Sequence, residues 1–206
     1  MDLAKIFRFL KIKIEGDSLK DWDVAGKPVL VLGLNHEAII EPFVLRKLIK
    51  RNDVGIVGIK SYGWLAKRIG WKFLPVMPKK YAIDLPKKQV LKNVLNPIKL
   101  AYLLEMMTIS QIEELNNKSI AGAVKIIKGG GMVIIFVRGG NGLLAKKGRG
   151  AEIIANTLKD QGVKFETVEV GFSGLTRWGL FLSPILGGRI FVKVNKVSRL
   201  SPAGRS

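Results

Sequence analysis

Cysteine is absent from this sequence, so neither disulfides nor thiolate metal sites can operate. Histidine occurs once, at His36, which leaves imidazole chemistry a single candidate. Acidic residues are few: 16 Asp and Glu stand against 35 Lys and Arg, a formal charge of +19 and a pI near 10.2. A surplus of that size implies an anionic partner, whether nucleic acid, an acidic membrane surface or a phosphorylated substrate. No apolar run approaches the roughly 18 to 20 residues that span a bilayer, and no signal-peptide cleavage pattern follows the first residues. The expectation is a protein on a membrane or in solution, not through one. A Walker loop is missing too, since no Gly-Lys-Ser/Thr follows the glycine-rich turn, and nucleoside triphosphate chemistry loses its support. Internal repeats and low-complexity tracts are also lacking.

What remains is apolar and regularly patterned. At 206 residues and 48% hydrophobic, the chain suits one well-buried domain. Short β-branched runs alternate with amphipathic stretches, which predicts an α/β fold with a mixed, mostly parallel sheet flanked by helices. The predicted organisation is an amphipathic helix over residues 1–16, a domain over 17–197 with a helical insertion at 81–118, and a polar tail at 198–206.

The stretch from Lys27 to Leu48 organises the rest. Pro28 to Leu34 reads as a buried strand, because it is short, apolar and marked by Gly26 and Gly33. Ile40, Phe43, Val44 and Leu48 then share one helical face, and Pro42 suits the first turn, where its missing N–H costs nothing. His36 therefore falls on a strand-to-helix turn, with Glu41 at the start of the helix. An imidazole titrating near neutral pH, with a carboxylate near enough to fix its tautomer, is what general-base chemistry requires. The plainer reading makes His36 a loop residue and Glu41 a favourable charge at a helix N-terminus. Both readings stand on spacing alone.

Elsewhere, residues 1 to 15 place Leu3, Ile6, Phe7, Leu10 and Ile14 on one helical face, with Lys5, Arg8, Lys11 and Lys13 around it and Gly16 as the cap. Such a helix lies at an anionic lipid interface or packs on the core with a solvated basic side. Val54 to Lys60 and Trp71 to Met77 read as strands joined by a short helical or looped link. Ser110 to Glu113 has the form of a capping box, and Ser119 to Lys128 reads as a helix stopped by Gly129-Gly130-Gly131. Met132 to Val137 is a buried strand ending at Arg138-Gly139-Gly140-Asn141-Gly142, a turn whose free backbone N–H groups suit an anion. Lys146, Lys147 and Arg149 precede an amphipathic helix to Leu158. Val163 to Gly171 and Arg189 to Val194 supply two further strands.

The segment NHEAIIE resembles the Asn-His-x4-Asp signature of the glycerolipid acyltransferase superfamily, the lysophosphatidate and glycerol-3-phosphate acyltransferase-like enzymes. Glu41 stands where most members carry Asp; the lipid A acyltransferase branch accepts either. The block VGIVGIK to WKFLPVM is similar to the family's second region, a strand ending in lysine followed by an Ile-Pro-Val strand and a basic residue, here Lys79 or Lys80. IFVRGGNG overlies the third region, commonly Phe-Pro-Glu-Gly-Thr-Arg-Ser: Phe136 and Gly139 match, Arg138 replaces Glu, and Asn141 stands at the phosphate-binding Arg. The resemblance covers roughly Lys27 to Met77 and Ile120 to Val194.

It implies transfer of a fatty acyl group from an acyl thioester, acyl-CoA or acyl carrier protein, to a hydroxyl of a phospholipid precursor or related acceptor. His36 would be the general base and Glu41 its orienting carboxylate. Lys60, Lys79, Arg138, Gly139, Asn141 and Arg149 would hold phosphates of donor or acceptor. No metal and no cofactor beyond the acyl donor is implied, and the place of work would be the cytoplasmic face of a membrane. The altered RGGN turn leaves open a relative that binds anionic lipid without turnover. A sequence-specific nucleic-acid binder is disfavoured, because aromatic residues do not interleave with the basic ones on any one strand.

Overall fold

The computed structural model describes residues 11–16, 19–34, 41–60, 63–85, 106–136, 149–173 and 189–197. Seven strands form one sheet: β1 (Lys11–Gly16), β2 (Val29–Gly33), β3 (Val54–Ile59), β4 (Lys72–Val76), β5 (Met132–Phe136), β6 (Glu166–Ser173) and β7 (Arg189–Val197). Four α-helices pack on it: α1 (Glu41–Leu48), α2 (Gly63–Ile69), α3 (Ile109–Lys128) and α4 (Gly150–Asp160). The strand order is β1-β7-β6-β2-β5-β3-β4. Five neighbouring strands, from β6 to β4, run parallel; β7 lies antiparallel to β6, and β1 runs with β7. The expected α/β class and mostly parallel sheet are both present.

The pleat sorts the core into two halves. On β2, Val29 and Val31 face one side while Leu30 and Leu32 face the other, and β5 does the same with Met132 and Ile134 against Val133 and Ile135. The first side is covered by Val44 and Leu45 of α1 and Ile69 of α2. The second takes Ala123, Val124 and Ile127 of α3 together with Ile154, Ala155 and Leu158 of α4. Every residue of β2 is buried, which explains its unbroken apolar run. Helices α1 and α2 carry the chain toward the β4 edge, whereas α3 and α4 carry it back. They sit on opposite faces, as right-handed crossovers require.

Two sequence expectations change. Residues 11–16 form an edge strand, not the end of an N-terminal helix; KIKIEG alternates with period two, and Ile12 turns inward to the core beside β7. Residues 1–10 lie outside the described set. The second change concerns the helical region before β5. Here one 20-residue helix, α3, replaces the two shorter ones, and its cap is Thr108 in place of Ser110. The Thr108 hydroxyl accepts from the Gln111 N–H at 3.3 Å, while Gln111 Oε1 accepts from the Thr108 N–H at 2.9 Å. The helix runs unbroken through Asn116, whose amide is used sideways on β4: it accepts from the Met77 N–H and donates to the Met77 carbonyl, both at 2.9 Å. Ser119 adds a bond to the Pro75 carbonyl at 2.5 Å. Helix α3 thus occupies backbone groups of edge strand β4, and Pro75 removes a further donor.

The amino ends of the parallel strands are locked by Arg51, which is 6% exposed. Its guanidinium donates to the carbonyls of Trp22 (3.2 Å), Lys27 (2.9 Å) and Gly130 (2.6 Å), and grips Asp53 through two bonds of 2.7 and 2.5 Å. Gly130 has φ +81, and a Cβ there would lie 2.6 Å from the Gly26 carbonyl oxygen, so only glycine lets the two turns meet. Asp23 accepts from the N–H groups of Lys50 and Arg51, and Trp22 Nε1 donates to Glu166 at 2.7 Å.

Candidate functional site at the carboxyl ends of the strands

Strands β2 and β5 are neighbours in register, with Gly33 opposite Phe136. The chain leaving β2 goes to α1 on one face, and the chain leaving β5 goes to α4 on the other. Adjacent strands whose connections part in this way open a crevice at their carboxyl ends, where α/β sheets bind ligands. The sequence-predicted stretches leave from the two walls of this crevice. His36 follows Gly33 by three residues and Arg138 follows Phe136 by two. At about 3.5 Å per residue, covalent reach alone keeps His36 within roughly 10 Å of Gly33 and Arg138 within roughly 7 Å of Phe136. His36, Arg138, Gly139 and Asn141 themselves lie outside the described residues.

The floor of the crevice is aromatic. The Phe136 ring lies where a Cβ of Gly33 would otherwise project, 2.3 Å from that position, and stands 6.4 Å from the Phe172 ring on β6. Leu34 continues the β2 ladder for one more bond, its N–H reaching the Val170 carbonyl at 2.9 Å.

Glu41 is the first residue of α1 and is 0% exposed. A solvated charge that merely complements a helix dipole has no reason to be sealed from water. Burying a carboxylate is costly unless hydrogen bonds or a cation compensate. Its neighbour Pro42 is buried in the first turn, as the sequence suggests. Helix α1 is therefore pinned by Val44 and Leu45 in the core and delivers Glu41 to the crevice end of the sheet.

The described cations of the candidate set reach the same pole from other strands. Lys60 directly follows β3, its Nζ 4.0 Å from the Met107 sulfur. Lys79 lies in the 3-10 turn after β4 and is ion-paired with Glu113 of α3, both side chains about half exposed at 59% and 47%. Arg149 is exposed and immediately precedes α4, making no side-chain cap bond there. Since β3 and β4 pair side by side through Ile59 and Val76, Lys60 and Lys79 leave neighbouring strands at one end. Among the described residues no group of three His, Cys, Asp or Glu could hold a metal ion.

Two features escape a reading of the sequence. The Lys79–Glu113 pair joins positions far apart in the chain, and the burial of Glu41 depends on how α1 packs. A hint of the second is that Glu41 falls one helical turn before the buried Val44 and Leu45. Compared with known proteins, the chain matches no family model and no curated sequence.

Proposed function

We propose that the chain is an O-acyltransferase working at the cytoplasmic face of a membrane, moving a fatty acyl group from acyl-CoA or acyl carrier protein to a hydroxyl of a phospholipid precursor or related acceptor. The observation that carries the reading is the fully buried Glu41 at the head of α1, five residues after the chain's sole histidine. In the proposed reaction His36 takes the proton from the acceptor hydroxyl as its oxygen attacks the thioester carbonyl. The tetrahedral intermediate collapses, the C–S bond breaks, and the imidazolium returns the proton to the departing thiolate. Glu41 keeps the ring in one tautomer and stabilises it while charged. Lys60, Lys79, Arg138 and Arg149 supply positive charge for the phosphates of donor or acceptor, with Gly139 and Asn141 in the adjoining turn.

Purified protein incubated with acyl-CoA and a panel of lysolipids, with thiol release as the readout, tests this directly. General-base catalysis is worth about 10²–10⁴ in rate, so His36→Ala lowers turnover by that factor while leaving the fold intact. A variant that keeps near-full activity removes the assignment. One specific observation favours a second reading, lipid binding without turnover: Arg138 replaces the family's Glu and Asn141 its Arg. Absence of thiol release with every acceptor, together with retained lipid, selects that reading.

A further inference from the structure

We infer that the carboxyl pole of β3 and β4 is the face that docks on an anionic bilayer, with Ile83 and Met106 as its apolar contacts. The inference rests on the membrane-surface reading above and assigns it a location. Both residues expose apolar side chains, Ile83 at 38% and Met106 at 69%, the latter being the most exposed large hydrophobic among the described residues. They are held together: the Ile83 N–H donates to the Met107 carbonyl at 3.0 Å, and the Asp84 carboxylate accepts from the Ile109 N–H at 3.0 and 3.1 Å. Met106 has φ 48, the one left-handed non-glycine backbone among the described residues. A backbone cost is thus accepted at the residue that exposes the apolar side chain.

Cations lie on the adjoining turns. Lys60 Nζ is 4.0 Å from Met107 Sδ, Lys80 lies over the Tyr81 ring at 5.1 Å, and Lys79, ion-paired with Glu113, sits beside it on the same turn. An apolar contact with ammonium groups on the adjoining turns suits a lipid interface, where the tip enters the acyl boundary and the lysines meet anionic headgroups.

The test is sedimentation of the full chain with phosphatidylcholine vesicles, with and without a one-third share of phosphatidylglycerol. The anionic vesicles bind the wild type, and the double variant Ile83→Glu/Met106→Glu weakens that binding about tenfold or more. Val24→Glu, at an exposed apolar site near the amino pole, leaves it unchanged. Circular dichroism confirms that each variant is folded, and Met106→Glu alone serves if the double variant is not. Wild-type binding by the double variant overturns the inference, as does equal weakening by Val24→Glu. Heparin binding that weakens in parallel with vesicle binding also overturns it, since the face would then be a general polyanion site. His36→Ala binds vesicles normally if the docking face is right. Absence of turnover by the wild type on micellar acceptor with intact vesicle binding therefore sinks only the enzyme, and wild-type turnover on micelles without vesicle binding sinks only the docking face.

Discussion

The ring of Phe136 occupies the place of the side chain that Gly33 lacks. A Cβ built on Gly33 falls 2.3 Å from Phe136 Cδ1 and 2.6 Å from Cε1, well inside contact distance. Gly33 is thus required by the neighbouring strand and not by its own backbone angles. Gly33→Ala forces the ring off its position and costs about 1–3 kcal/mol by overpacking, read by urea denaturation. Phe136→Leu placed in that background recovers part of the loss. Strict additivity of the two substitutions counts against the contact.

Glu41 separates structure from chemistry by its choice of replacement. Under the proposed acyl transfer, Glu41→Asp keeps the charge and therefore retains most of the turnover. Glu41→Gln keeps the shape and loses the charge, and turnover number falls by about 10² or more with the KM for acyl donor little changed. A purely structural carboxylate gives a different pattern: Asp and Gln variants lose stability, while the folded fraction of each works normally. Thermal unfolding beside steady-state rates distinguishes them.

Arg51 and Asp53 make a prediction about acid. Hydrogen bonds from the Arg51 guanidinium, with its charge, hold the Asp53 carboxyl below the ordinary aspartate range. A carboxylate whose folded value is depressed adds stability that is complete above its unfolded value, near pH 4, and fades as pH falls through the folded value. Unfolding free energy measured from pH 5 downward therefore drops below about pH 4, and Asp53→Asn flattens part of that slope. Arg51→Ala leaves three carbonyls, two of them in buried bonds, without that donor and costs at least about 2 kcal/mol at neutral pH. An Asp53→Asn variant as acid-sensitive as the wild type would contradict the pairing.

The strands β2 to β7 are legible because burial on both faces, or on one, leaves an apolar run or an alternation that short range suffices to read. Edge strand β1 is not legible in that way. Ile14 continues the helical spacing of Leu3, Ile6, Phe7 and Leu10, and the partner strand, β7, comes from the other end of the chain. Thr108 outcompetes Ser110 as a cap because Gln111 can answer it from both directions, a pairing the spacing permits but does not single out. Arg51 could not be found at all, since its acceptors are carbonyls contributed by Trp22, Lys27 and Gly130, which leave no mark in a sequence. The candidate site was legible as a chain order and not as a geometry. The turns at His36 and Arg138 follow from pattern, but the pairing of β2 with β5, the strands that lead into them, is a jump the chain order does not show.

The reversal of direction between β6 and β7 makes the two extremities of the polypeptide unequal. The amino end of β1 lies at the crevice pole, whereas the carboxyl end of β7 lies at the opposite one. A bulky fluorescent reporter joined after Val197 therefore stands clear of any surface the crevice approaches, and the same reporter joined in front of Lys11 comes between the two.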